Sequence, residues 1–253
     1  MKISIITASY NSAATIADTL RSIADQTHPE IEHLVIDGGS TDSTLEIVRA
    51  QGKAGTTIVS ERDRGIYDAM NKGLARATGD VVGFLNSDDI FADPQALERV
   101  ARALADPQVD MVYGDIVFVA QQDTSRVVRL WTSRPYTAGL CSRGWMPPHP
   151  TLYVRRAVYE KYGEYDLSFP AAADFEMALR LFDREHLSSA YVPFVQVRMR
   201  MGGQSTRSIA NIVSGSREVS RAARKHGLPG GLRFVAMRLL RKVPQFLQRP
   251  KSK

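Results

Sequence analysis

The sequence predicts an α/β protein whose central sheet is mostly parallel and flanked by helices, and three observations carry that expectation. Short apolar runs alternate with helical patterns through the first half, turn residues bound each run, and the stretches between runs are long enough to cross over the sheet. The 253 residues are 43% hydrophobic and 24% charged, sufficient to close one sizeable core with a further segment attached.

Taken in order, Ile3 to Thr7 reads as the first strand, Leu34 to Ile36 as the second, Thr57 to Val59 as the third and Val81 to Leu85 as the fourth. Helical stretches fall at Thr15 to Ala24, Thr44 to Ala50 and Ile66 to Ala77. The second half is less regular, with strands near Met111 to Tyr113, Ile116 to Ala120, Val127 to Trp131 and Thr151 to Val154, then a helix from Asp174 to Glu185. From Ser205 the chain turns helical and basic and is interrupted by Gly227, Pro229, Gly230 and Gly231. A boundary is therefore placed between a domain of residues 1–205 and a basic, helical C-terminal tail of residues 206–253.

Charge is divided unevenly between these parts. From Arg217 onward eleven Lys and Arg stand against Glu218 alone, a charge of +10, which leaves 22 against 26, or −4, for residues 1–216. A basic segment on a mildly acidic domain points to an anionic partner surface. On a helical wheel Leu232, Val235, Ala236, Leu239, Leu240 and Val243 share one face and Arg233, Arg238, Arg241 and Lys242 the other, the pattern of a helix lying on an anionic membrane. Phe234 and Met237 break the polar face, so docking onto the domain or a partner is the rival reading. No nucleic-acid-binding module is present, and no nucleic acid is expected as partner. Cys141 is the one cysteine and cannot form an intrachain disulfide, while the apolar run Ile3, Ile5, Ile6 is too short for a signal peptide or a membrane span. The expected place is the cytoplasm, in peripheral contact with the inner membrane face.

In open α/β sheets ligands sit beyond the carboxyl ends of the strands. Strand one ends in Thr7-Ala8-Ser9-Tyr10-Asn11, strand two in Asp37-Gly38-Gly39-Ser40-Thr41-Asp42, and strand four in Asn86-Ser87-Asp88-Asp89, so three polar clusters are expected to converge. No glycine-rich G-x-G-x-x-G turn follows strand one, which removes the main support for a dinucleotide fold. In isolation Ser-Asp-Asp reads as an Asx turn ahead of a helix; at the end of a buried strand the two carboxylates read as holders of a hard divalent cation shared with substrate phosphates. Asp42 or Ser43 could cap the following helix. His28, His33, His186 and His226 show no spacing for metal ligation.

Together, Ile5-Ile6-Thr7-Ala8-Ser9-Tyr10-Asn11, Asp37-Gly-Gly-Ser-Thr-Asp42, the segment Ser60 to Gly73 and Asn86-Ser-Asp-Asp89 resemble glycosyltransferase family 2 in order and spacing. They look most like its bacterial members that build exopolysaccharides such as colanic acid or O-antigen, and the likeness spans roughly residues 3 to 205. The resemblance implies a GT-A (Rossmann-like) fold and inverting transfer of a sugar from a UDP- or GDP-sugar to an acceptor hydroxyl, on a glycan or lipid-linked precursor. It implies that Ala8, Tyr10 and Asp37 border the base, that Asp88 meets the ribose, and that Asp89 holds Mg²⁺ or Mn²⁺. The Asp-x-Asp triplet stands here as Ser87-Asp88-Asp89, without its first carboxylate. Asp68, Asn71 and Lys72 match a donor-pocket segment, with helix-surface pairing as the alternative for Lys72. Asp174, at the start of a late helix, matches the general base; an ordinary helix cap is its structural alternative, and Glu176 and Asp166 are the reserve carboxylates. His149 matches a position on the acceptor side, or is a structural histidine in a Pro-rich turn. Gly202-Gly203-Gln204-Ser205 resembles a family loop beside the donor. A catalytically silent scaffold of the same fold and a metal-dependent nucleotidyltransferase are the competing functions; the joint presence of Asp88, Asp89 and Asp174 speaks against the first, and the lack of a glycine-rich basic phosphate loop against the second.

Overall fold

The structure, a computed structural model, describes residues 1–202 and 209–240. Gly203-Gln204-Ser205, Arg241, Lys242 and Val243 lie outside the described residues. Four parallel strands form the first half of the sheet: β1 (Ile3–Ser9), β2 (Ile31–Asp37), β3 (Thr57–Ser60) and β4 (Val81–Phe84), in the order β3-β2-β1-β4. They are joined by the helices α1 (Ile16–Ala24), α2 (Thr44–Gln51) and α3 (Ile66–Leu74). α1 buries Ile16, Thr19, Leu20 and Ile23, one stripe at i, i+3, i+4 and i+7. α3 lies close on β1 because residue 73 is glycine: a Cβ there would stand 2.5 Å from Ile6 Cγ2.

Beyond β4, where the sequence pattern is less regular, the sheet is mixed. β5 (Ile90–Phe91) and α4 (Ala96–Ala103) precede a long β6 (Met111–Val119), which unites the two strands read from Met111 to Ala120. β7 (Val127–Trp131) pairs antiparallel with β6, and β8 (Tyr153–Arg155) lies antiparallel between β4 and β6. The sheet then continues β6-β9-β5 through β9 (Ser189–Arg200), parallel to β6 and absent from the sequence reading. β9 hides because its ladder is broken: Tyr113 pairs Tyr191 and Asp115 pairs Val195, so Val192 to Phe194, with Pro193 among them, bulge opposite Gly114.

α5 (Arg156–Tyr162) and α6 (Ala173–Ala178) follow β8, and a π-helical turn from Leu179 to Arg184 extends α6. α7 (Ile209–Lys225) and α8 (Gly231–Leu240) then return over α6. Alternation along the strands splits the core: Ile6, Leu34, Ile36, Val82 and Phe84 face α3 and α6, while Ile3, Ile5 and Val81 face α4. Val219, Ala222 and Ala223 of α7 and Phe234 of α8 belong to the same apolar cluster as Phe175 and Phe182. The wheel drawn from sequence is thus turned around in α8: Phe234 and Met237 point into the core, whereas Leu240 is 69% exposed. Among the described residues no helix is long and apolar enough to cross a membrane.

Candidate active site

The three polar strand ends meet as the sequence predicts, and hydrogen bonds between the turns hold them together. Ser9 Oγ donates to Asp37 Oδ1 at 3.2 Å, the Asn11 N–H to Ser40 Oγ at 2.8 Å, and the Ala13 N–H to Asp42 Oδ2 at 3.1 Å. Ser12 and Ser87 share a hydrogen bond of 2.7 Å between hydroxyls, and Thr15 Oγ1 donates to the Ser87 carbonyl, which ties in the end of β4. Asn11 takes φ of 48° at this junction, a left-handed conformation that asparagine tolerates better than other side-chain-bearing residues.

Asp37 is buried, and both of its oxygens are occupied. Oδ2 accepts from the Gly39 and Ser40 N–H groups and Ser60 Oγ, Oδ1 from Ser9 and Ser40 Oγ. Burial alone would raise its carboxyl; the hydrogen bonds, with Ser40 foremost, outweigh that and hold it below the usual value. Asp37 therefore shapes the pocket through three serines that the sequence reading passed over. Tyr10 is 55% exposed at the same turn, whereas Ala8, inside β1, belongs to the buried apolar cluster.

Asp88 is half-buried and Asp89 only 1% exposed. Asp89 Oδ1 accepts the Arg200 N–H at 3.2 Å, and Asn86 Nδ2 approaches Oδ2 at 3.5 Å. Burial first, and then the like charge of Asp88, push the Asp89 carboxyl well above the ordinary range. Arg200, unforeseen from sequence, braces the pair by donating to the carbonyls of Asp88 and Gln121 and to Asp18 Oδ2. Among the described residues no three His, Cys, Asp or Glu side chains gather into a metal-sized group. The Oδ1 of Asn86 is buried and has no hydrogen-bond partner there.

The α3 segment divides. Asp68 accepts from the N–H and guanidinium of Arg64 and lies 3.6 Å from Lys72, whose ammonium donates to the Arg62 carbonyl at 2.7 Å. The surface-pairing alternative for Lys72 is thus realised in this state. Asn71 instead turns inward, where its amide exchanges two hydrogen bonds with the backbone of Tyr165. Tyr165 is the hub of the next contacts: its hydroxyl meets His149 Nε2 at 2.7 Å, and its ring lies 5.4 Å from those of Tyr67 and Phe84. Phe84, the last residue of β4, stacks on His149 at 5.6 Å.

Asp174 stands at the far side of this cluster, half-buried. The helix cap is not its role: Ala172 occupies the cap position of α6, and Asp174 Oδ1 accepts the neighbouring Phe175 N–H at 2.7 Å, with the Tyr67 hydroxyl also within hydrogen-bonding reach of the carboxylate. Burial, followed by the Asp174 carboxylate, pushes the Tyr67 phenol well above its ordinary value. Burial draws His149 below its ordinary value, with Asp174 acting in the opposite sense, so the imidazole is neutral at physiological pH. From α8 the Arg238 guanidinium lies 4.1 Å over the Phe175 ring, with Nη2 3.1 Å from Met146 Sδ and Nη1 buried without a partner among the described residues. Gly144 lets α8 come this close, since a Cβ at residue 144 would lie 3.1 Å from Arg238 Cα. The reserve carboxylates are committed elsewhere: Glu176 pairs with Arg180, Lys225 and His226, and Asp166 with Lys225.

A parallel four-strand block with carboxylates beyond β4, facing a second half that carries its own polar pocket, is the layout of a GT-A glycosyltransferase. The chain matches the family Glycosyl transferase family 2 over residues 4–188 and belongs to it. It is 32% identical over 203 residues to a PGL/p-HBAD biosynthesis glycosyltransferase of Mycobacterium bovis, with 76% of this chain and 74% of the relative covered. An uncharacterized glycosyltransferase of Mycobacterium tuberculosis is 34% identical over 181 residues, covering 70% of this chain and 68% of its own length. Among solved structures, S. aureus TarS 1–349 in complex with UDP-GlcNAc superposes with a TM-score of 0.69 at 21% identity, over 96% of this chain and 73% of that one. The mannosyltransferase PcManGT from Pyrobaculum calidifontis, in complex with GDP-Man and Mn²⁺, gives 0.62 at 19% identity, over 98% of this chain and 81% of its own. The protein is a glycosyltransferase.

Proposed function

We propose that the chain transfers a sugar from a nucleotide diphosphate donor to an acceptor hydroxyl with inversion, Asp174 taking the hydroxyl proton. One observation carries the reading: an unbroken line of contacts runs from Phe84 at the end of β4 through His149, Tyr165 and Tyr67 to Asp174, which joins the carboxylate end of the sheet to a carboxylate that is neither a cap nor an ion-pair partner in α6. The serines around Asp37 and the face of Tyr10 receive the base, and Asp88 the ribose. His149 and Tyr165 border the acceptor; the imidazole has its Nε2 engaged by the Tyr165 hydroxyl and its basicity lowered by burial, which leaves Asp174 as the proton acceptor.

Asp88, Asp89 and the buried amide oxygen of Asn86 make an all-oxygen set of the kind Mg²⁺ or Mn²⁺ takes, with donor phosphates and water completing the shell. Such an ion, when bound, offsets the charge gathering on the departing diphosphate. The complexes of the two structural neighbours support UDP- or GDP-sugars as donors. The acceptor is a glycan or lipid-linked precursor met at the inner membrane face, for which the +10 charge from Arg217 onward supplies the attraction to anionic lipid.

The test is slow donor hydrolysis across a panel of sugar nucleotides, with Mg²⁺, Mn²⁺ or EDTA. One nucleotide sugar should be cleaved in the presence of metal and not in EDTA; cleavage indifferent to EDTA would remove the metal from the reading, and cleavage of none would remove the donor class.

A further inference from the structure

We infer that α7 and the loop before α6 form a phosphate-binding pocket that anchors the anionic group of the acceptor beside Asp174. A cavity of about 460 Å³ is lined by Ser168 and Pro170 of that loop and by Ser214, Arg217, Glu218, Arg221 and Arg224 of α7. The α7 residues Ser214, Arg217, Arg221 and Arg224 recur at i, i+3, i+7 and i+10, so one helix face supplies three guanidinium groups to one concavity. Three arginines against Glu218 leave the lining at +2.

The charges are not used up internally. Glu218 is spent on the Ala171 N–H at 2.7 Å, and Arg221 on the Ser168 carbonyl and the Phe169 ring, 4.3 Å away. Arg224 meets only the Ser220 hydroxyl, at 3.1 Å, and Arg217 has no hydrogen-bond or ion-pair partner among the described residues. Two guanidinium groups about two turns apart on one helix face, with two serine hydroxyls in the same pocket, form a donor set that the oxygens of a phosphate or diphosphate fill through charge-assisted and bidentate hydrogen bonds.

Position gives the pocket its use. Pro170 in its wall precedes Asp174 by four residues, so the two Cα atoms are at most about 14 Å apart. The same loop is clamped to α7 at Asp166, Ser168 and Ala171, so a group bound by Arg217 and Arg224 is fixed relative to the base. A sugar joined to a phosphate or diphosphate would be held by its anionic end while its hydroxyl reaches Asp174. This deepens the acceptor assignment and rests on Asp174 being the base. The phosphate could belong to a sugar carrier or to a lipid headgroup; the pocket chemistry is the same.

Inorganic diphosphate is titrated by calorimetry in EDTA against wild type, Arg217→Glu/Arg224→Glu and the milder Arg217→Gln, with thermal melting and Mn²⁺-dependent nucleotide affinity as folding controls. Wild type should bind, the double variant should lose about tenfold or more in affinity, and the single variant should fall between, with nucleotide affinity unchanged in all. Vesicles of phosphatidylcholine with and without phosphatidylglycerol separate the sources. Diphosphate displacing the protein from anionic vesicles places a headgroup in the pocket; vesicle binding untouched by diphosphate assigns the pocket to the carrier phosphate. Diphosphate affinity equal in wild type and both variants overturns the pocket, and it does so even where donor hydrolysis confirms the enzyme.

Discussion

At the scale of single residues, the two halves of the site pose opposite electrostatic problems. Asp89 is enclosed next to another carboxylate, and its raised pKa means that the folded chain holds a proton more tightly than the unfolded one. The sign follows from linkage: the stability associated with the protonated form is complete below the unfolded carboxyl value and is lost as pH rises toward the folded one. Without metal, Asp89→Asn should therefore melt above wild type, by a margin that widens from pH 4 to 7, and Mn²⁺ should raise the melting temperature of wild type alone; a Mn²⁺ response surviving in the variant removes Asp89 as ligand. Asp174→Asn keeps shape but cannot take up a full proton. Turnover should fall by about 10²- to 10⁴-fold, with melting and nucleotide affinity nearly unchanged. Transfer at the wild-type rate would leave Asp174 without a chemical role, and because Glu176 and Asp166 are tied to Lys225, no neighbouring carboxylate stands ready to replace it.

At the scale of elements, α6 is fastened to α7 by charge. Burial works against the Glu176 carboxylate, but His226, Lys225 and Arg180 outweigh it and hold the group at about 2. That stabilisation is present above the unfolded carboxyl value and vanishes as pH falls toward 2. Glu176→Gln should cost about 3 kcal/mol in denaturant unfolding at pH 7, and the gap from wild type should close between pH 4.5 and 2. Gly73→Ala sets helix propensity against space: the gain of about 1 kcal/mol in α3 is smaller than the cost of driving a methyl into Ile6, so a net loss of about 1–2 kcal/mol is expected in the same assay. The parallel half was legible in sequence because β1, β2 and β4 are largely buried on both faces and read as apolar runs, while the part-exposed edge strand β3 still shows the short β-branched run Thr57-Ile58-Val59. β9 was passed over although Val195, Val197 and Met199 alternate with Gln196, Arg198 and Arg200 at the period of a strand, because Pro193 cuts that alternation off from Tyr191 and Val192. The polar clusters at the strand ends were legible from order and spacing, whereas the saturation of Asp37 by Ser9, Ser40 and Ser60 depends on contacts across strands. The outward face of α8 was misread because a helical wheel counts Arg238 as a surface charge, while in the fold it lies on the Phe175 ring.

At the scale of the whole molecule, the last segment completes the core. Ending the chain after Gly202 removes Val219, Ala222, Ala223 and Phe234 from the cluster around Phe175 and Phe182. The shortened protein should melt lower and bind an apolar dye that the full chain excludes; equal melting would make residues 206–253 an independent appendage. The bracing of Asp89 by Arg200 across 111 residues has a consequence in time. A nascent chain can close the block of β1 to β4 early, through local crossovers, but β5 stays unpaired and the Asp88–Asp89 pair unbraced until β9 has been made. At about 5–20 residues per second that wait lasts roughly five to twenty seconds of synthesis, during which the carboxylate centre is unassembled; it becomes competent only once β9 has been made.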